Sequence, residues 1–342
     1  MTKKLFGLLL AAAMLLSPAF ADAEMGEATV EMDGEAEITE QATATGEPVF
    51  TEQPIEIDIP EEMPVETDGE KEIMQGLYNA FINSERLKRH IDFLYSRGSM
   101  YKCCNGNLLY HGCIPLDENG NLAPMNCDGH LLQGKAYIEY CDMKARRAWN
   151  EGDEDSLDWM WYLWCGMKSP LSGRVVKTFE RSYLTDESTW KEPRNPYYTY
   201  YNDERYALMI LHEFGLYSDR SHIINGHTPV HVTKGESPVR ANGRVLVIDG
   251  GFCKAYQKTT GIAGYTLIFN SHGMRIKAHQ PFISLETALK ENADIDSDTT
   301  VVETEIHRVM VNDIDDGEII RRRIGDLREL LTAYREGKIQ EK

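Results

Sequence analysis

An abrupt change of material near residue 70 sets what this 342-residue chain can fold into. Residues 22–70 hold 17 Asp or Glu and no Lys or Arg, with Thr, Ala, Gly and Pro between them. Such a stretch cannot bury enough apolar surface to offset the entropy cost of ordering. Residues 22–69 read as a disordered acidic linker, with an acidic interaction tail as the alternative. Folding is thereby confined to residues 70–342, one domain's worth of sequence. The same stretch accounts for the charge. Residues 22–70 contribute −17 to a net −19, Lys3 and Lys4 add two positive charges, and residues 71–342 are left with −4. The folding part is nearly balanced, and no basic patch points to nucleic acid.

Residues 1–21 read as a secretory signal. Lys3 and Lys4 start it, an apolar run covers Leu5 to Leu16, and Ala19-Phe20-Ala21 fits a small-residue cleavage site. The apolar run is too short for a stable membrane span. The cysteines point the other way. There are seven, an odd number with no Cys-x-x-Cys spacing, which suits reduced thiols rather than an exported disulfide framework. Export and cytoplasm are therefore both expected, from different parts of one chain.

Within 70–342 the first half reads as helical and the second as β-rich. Ile73, Leu77, Phe81, Leu87, Ile91 and Leu94 recur near helical spacing over 70–99. Leu108 to His111 is a short strand, and Lys135 to Asn150 a helix. The run from Ser156 to Trp164 is a packed core segment. Its Trp159, Trp161 and Trp164 are alternatively a platform for a sugar or base. Residues 191–202 form a loop, and Asp203 to Phe214 a helix stopped by Gly215. Five short β-type runs follow, near residues 223–224, 230–232, 245–248, 265–269 and 274–276. Turns at Asn242-Gly243, Gly250-Gly251 and Ser271-His272-Gly273 separate some of them, which predicts a mostly antiparallel sheet. Asp315 to about Arg335 returns to a charged amphipathic helix.

Two histidines stand out. His111 follows Leu109-Tyr110, and His227 follows Ile224-Asn225-Gly226; His111 runs straight into Gly112, and His227 into Thr228-Pro229. An imidazole leaving a strand this way is held rigidly at a sheet edge, which suits a metal ligand. A two-metal phosphoesterase also needs carboxylates to hold and bridge the cations, and a group for the phosphate or leaving oxygen.

Longer motifs carry a family resemblance. They are residues 161–166, 169–171, 178–181 and 223–230, together with the blocks 234–238, 247–252 and 260–265. On these the chain resembles the bacterial class III fructose-1,6-bisphosphatases, within the calcineurin-like metallophosphatase superfamily, from about residue 70 onward. The resemblance implies an α/β fold, the C-terminal part of a layered α/β/β/α sandwich. It implies a gluconeogenic sugar phosphatase that takes fructose 1,6-bisphosphate and water to fructose 6-phosphate and phosphate with Mn2+ or a similar divalent cation. It places His111 and His227 at the second metal.

The family's other motifs are Asp-x-His, Gly-Asp-x-x-Asp-Arg and Gly-Asn-His-Asp/Glu. None occurs before His111 in this sequence. Asp128-Gly129-His130 with Gly152-Asp153 imitates them, but in the wrong order; turn chemistry is the plainer reading of Asp128-Gly129. Two expectations follow. One is a phosphatase completed by a separate polypeptide that carries those motifs. The other is a catalytically inactive remnant or exported fusion protein. Two neutral imidazoles alone give little hold on a hard divalent ion. The sheet is also expected to expose an apolar face and unpaired edges.

Other groups carry weaker signals. Arg240, Arg244, Lys254, Lys258 and Arg275 are candidate sugar-phosphate contacts, with solvated surface as the alternative. The Lys234-Gly235-Glu236-Ser237 loop offers backbone N–H groups to phosphate, or is a tight connection. Asp249 is a partner for His227, or a strand-end turn. His272 and His279 read as strand-end residues without a metal.

Overall fold

The computed structural model describes residues 67–282, 284–292 and 296–339. The signal-like segment and all but the last three residues of the acidic linker lie outside them. The described chain divides after Ser84 into a short unit and a large one. The short unit is one helix, Asp68–Ile82. A capping box opens it, with Thr67 and Glu70 each satisfying a backbone N–H of the other, and Asn83 ends it. The helical pattern expected over 70–99 is thus two helices, the second being Glu85–Arg97 in the large unit.

The large unit is mixed α/β. Its main sheet has five strands in the order β1-β2-β5-β7-β6: β1 (Tyr101–Cys104), β2 (Asn107–Tyr110), β5 (Ile223–Asn225), β7 (Val245–Val247) and β6 (Val239–Arg240). β2, β5 and β7 run parallel, with Leu108 opposite Ile223 and Ile223 opposite Val245. The expectation of a mostly antiparallel sheet fails here. These strands are mostly apolar, and β5 and β7 are buried at every position, as in a sheet covered on both faces. The turn residues misled. Asn242-Gly243 does return β6 onto β7, but Gly250-Gly251 leads into the helix Lys254–Thr260. β1 itself was missed, although Asn105-Gly106, both at positive φ, is a strong hairpin signal joining it to β2.

A second, antiparallel sheet has the order β10-β9-β8: β8 (Gly264–Asn270), β9 (Gly273–His279) and β10 (Ser297–Thr304). A small hairpin pairs β3 (Met125–Cys127) with β4 (His130–Leu132). The run at 230–232 is no strand. Val230 donates one hydrogen bond to the Asp249 carbonyl, and the chain then tightens into a 3-10 turn after Pro229.

Helices from the long β2-to-β5 connection cover the main sheet. Gly134–Asn150 turns Tyr137, Ile138, Cys141, Ala145 and Ala148 inward at helical spacing. Glu154–Cys165 starts at Asp153, whose side chain accepts from the Ser156 N–H. Glu204–Glu213 is capped by Asp203 in the same way, and Gly215 at φ +80° follows its end. One buried cluster joins Ile91, Ile138, Leu163, Leu211, Ile223 and Leu246 with Met274 and Ile276 of the second sheet. The aromatic run is only half inside. Met160 and Leu163 are buried, whereas Trp161 is exposed and stacks on Phe179. No described helix is long and apolar enough to cross a membrane.

Candidate metal centre at the ends of the parallel strands

Because β2, β5 and β7 are parallel, their C-terminal ends meet at one edge, where open α/β sheets bind ligands. His111 follows β2, Gly226 and His227 follow β5, and Asp249 lies just past β7. The strand ends are fixed by a buried polar network. The Tyr110 and Tyr197 hydroxyls are 2.7 Å apart. Asn225 Nδ2 donates to Tyr197 Oη at 2.8 Å and to the Gly112 carbonyl at 3.3 Å. The Gly226 N–H donates to the His111 carbonyl at 3.0 Å, which ties the two histidine segments directly.

The two imidazoles stand edge to face, with His111 Nε2 3.2 Å from His227 Nδ1. His227 holds a left-handed backbone, φ +66°. Residues other than Gly, Asn and Asp adopt it at a cost and mostly where surroundings enforce it. Burial lowers the His227 pKa, and His111, Arg174 and Arg194 add to the effect, bringing it to about 3. His111 keeps an exposed edge, yet the protein packed around it lowers its pKa too, against the opposing pull of Asp249. Both rings are therefore neutral near pH 7, the form that binds metal. His227 Nε2 is buried with no hydrogen-bond partner among the described residues.

Two arginines flank the histidines, and the sequence reading did not single them out. Arg174 and Arg194 form an isolated antiparallel bridge. Arg174 contacts Glu192 at 3.5 Å and Thr228 Oγ1 at 3.4 Å, and its buried Nε has no partner. Nothing in their local sequence distinguishes them from other arginines; only the fold brings them beside His227.

Against a divalent ion the fit is partial. The 3.2 Å contact between His111 Nε2 and His227 Nδ1 is a hydrogen bond between the two rings, so two potential nitrogen ligands stand together while each satisfies the other. Among the described residues, however, no group of three or more His, Cys, Asp or Glu is arranged to hold a metal. Asp249 stays outside such a group; its Oδ1 accepts from the Gly251 N–H at 3.0 Å, and its charge acts on His111 rather than His227. The described residues offer a ligand pair and do not complete a site.

The sequence family described as Firmicute fructose-1,6-bisphosphatase matches residues 48–336. The chain belongs to this family. A class 3 fructose-1,6-bisphosphatase of Clostridium botulinum (strain Langeland) is 52% identical over 280 residues, covering 80% of this chain and 42% of the relative. One from Clostridium novyi is 47% identical over 281 residues, with the same coverage. The chain thus spans about two-fifths of the length of these relatives. No solved structure matches the chain significantly.

Seen as a fructose-bisphosphatase family chain, the imitation motif is structural. Asp128 sits at positive φ in the β3–β4 turn and pairs with Lys144 at 3.3 Å. Lys144 is buried and also pairs with Asp155. Burial alone would lower its pKa, but Asp155, Tyr140 and Asp128 outweigh that and raise it. Asp153 is the helix cap already described. Arg240 is held by Asn202, Glu236 and the face of Tyr201, and Arg244 by Glu204 and the Asp219 carbonyl. Lys254, Lys258 and Arg275 are exposed. In the 234–237 loop the N–H groups of Lys234, Gly235 and Glu236 bond back to His231 and Val232, so it is a tight connection. His279 pairs with Thr266 Oγ1 at 2.7 Å, and His272 lies in the β8–β9 turn. All seven cysteines are free.

Proposed function

We propose that this chain supplies the two-histidine side of a two-metal sugar phosphatase site for fructose 1,6-bisphosphate. Its His111–His227 pair would hold the second divalent ion, manganese or a similar one. Such an ion polarises a phosphoryl oxygen and makes a bound water acidic. The chain's own residues orient the site. Tyr110, Tyr197 and Asn225 fix the strand ends, and burial keeps the imidazoles unprotonated. Arg174 and Arg194 place positive charge beside His227, where a phosphate monoester would sit. The remaining metal ligands come from a separate polypeptide bearing the Asp-x-His, Gly-Asp-x-x-Asp-Arg and Gly-Asn-His-Asp/Glu motifs. Supporting that last step is the lack of a third ligand among the described residues.

The observation that carries the reading is the meeting of two neutral strand-end imidazoles, His111 and His227, beside the charges of Arg174 and Arg194. Isothermal calorimetry with manganese tests it. The chain alone should bind the ion weakly. A companion polypeptide should convert this to tight binding that His111→Ala or His227→Ala removes. Tight stoichiometric binding by the chain alone would show carboxylate ligands outside this account. Failure of every companion to add binding would favour the inactive remnant.

A further inference from the structure

The helix Asp315–Arg335 is 21 residues long and buries only Gly317 among the described residues. Ile320, Ile324, Leu327, Leu331 and Tyr334 follow at steps of four, three, four and three, and all are between 41% and 64% exposed. That spacing puts the five side chains on one narrow stripe, the seam of a two-stranded coiled coil. A surface helix normally turns its apolar stripe inward; this one leaves it in solvent.

Charge says what covers it. Arg321, Arg328 and Arg335 each directly follow a seam residue and border the stripe along its length. Arg323 and Leu330 lie on the other border. Arg321 is held by Asn312. No ion pair engages Arg323, Arg328 or Arg335 among the described residues, whereas Arg322, away from the seam, pairs with Glu318. A second copy is a poor match. In a parallel pair Asp316 of one copy meets Arg321 of the other, but Arg323 meets Arg328 and Leu330 meets Arg335. In an antiparallel pair the arginine border faces itself. A helix bordered by carboxylates answers the four arginines, Arg321, Arg323, Arg328 and Arg335.

We propose that this stripe docks a helical segment of another protein that carries its own three-four apolar repeat bordered by Asp or Glu. The proposal stands apart from the phosphatase reading, and its test uses neither metal nor sugar phosphate. The full chain is titrated with a synthetic 21-residue helical peptide with Ile and Leu at the seam and Glu at the borders. A second peptide differs only in having Lys at the borders. The Glu peptide should bind at least tenfold more tightly than the Lys peptide, and added salt should narrow the gap. Leu327→Glu should abolish binding, and the pair Arg328→Glu and Arg335→Glu should reverse the preference. Both changes lie on exposed positions, and circular dichroism checks that the chain stays folded. Equal binding of the two peptides, or binding of neither, would overturn the proposal. So would a chain dimer in sedimentation that Leu327→Glu dissolves.

Discussion

His111 Nε2 and His227 Nδ1 lie 3.2 Å apart although 116 residues separate them in the chain. The meeting depends on parallel pairing of the strands before them, and on a left-handed backbone at His227 that glycine would adopt more readily. Replacing His227 by Gly should leave the protein more stable than replacing it by Ala, by about 1 kcal/mol. Urea unfolding of the two variants measures the difference. An Ala variant as stable as the Gly variant would mean that this backbone is not strained.

Gly112 acts on the same pair from the other strand. A Cβ there would overlap the Leu171 carbonyl oxygen and come within 2.7 Å of the Pro170 oxygen, to which the Gly112 N–H donates at 3.2 Å. Both obstacles are backbone and cannot swing away. Gly112→Ala should therefore cost about 1–3 kcal/mol and shift His111 relative to His227. The histidine ring resonances in an NMR spectrum report the shift, and unchanged resonances would count against it.

The legibility of these features was uneven. The two histidines were visible because each ends a strand-like apolar run, which is a local pattern. The helix Asp315–Arg335 and the stop of Glu204–Glu213 at Gly215 were visible for the same reason. Parallel pairing was not visible. It is decided by the burial of β5 and β7 at every position, a tertiary effect, whereas the glycine turns nearby suggested hairpins. Arg174 and Arg194 were hidden entirely, because their meaning lies in which histidine they approach. The Asp128 imitation shows the converse: a motif of the right letters was taken up by a buried lysine.

His222 gives the fold a pH dependence. It is buried, and Nδ1 lies 3.1 Å from Asn107 Oδ1, whose acceptance fixes the proton there. Burial lowers its pKa, against a smaller opposing effect of Glu303. The unfolded chain therefore takes up this proton first, near pH 6.5, while the folded chain does not. Stability should fall as pH drops below about 6.5, by at most about 1.4 kcal/mol per pH unit for each such histidine. His111 and His227 shift the same way. His222→Asn keeps a donor toward Asn107 and should flatten the slope between pH 7 and 5. Urea midpoints across that range check it; an unchanged slope would remove His222 from the account.

The most direct test of the central claim is phosphate release from fructose 1,6-bisphosphate with manganese present. It is measured for the chain alone and for the chain mixed with the remaining part of the Clostridium botulinum relative. The account predicts no turnover by the chain alone. It predicts turnover in the mixture that is lost when the chain carries His111→Ala or His227→Ala. Turnover by the chain alone, or turnover in the mixture that survives both substitutions, would contradict it.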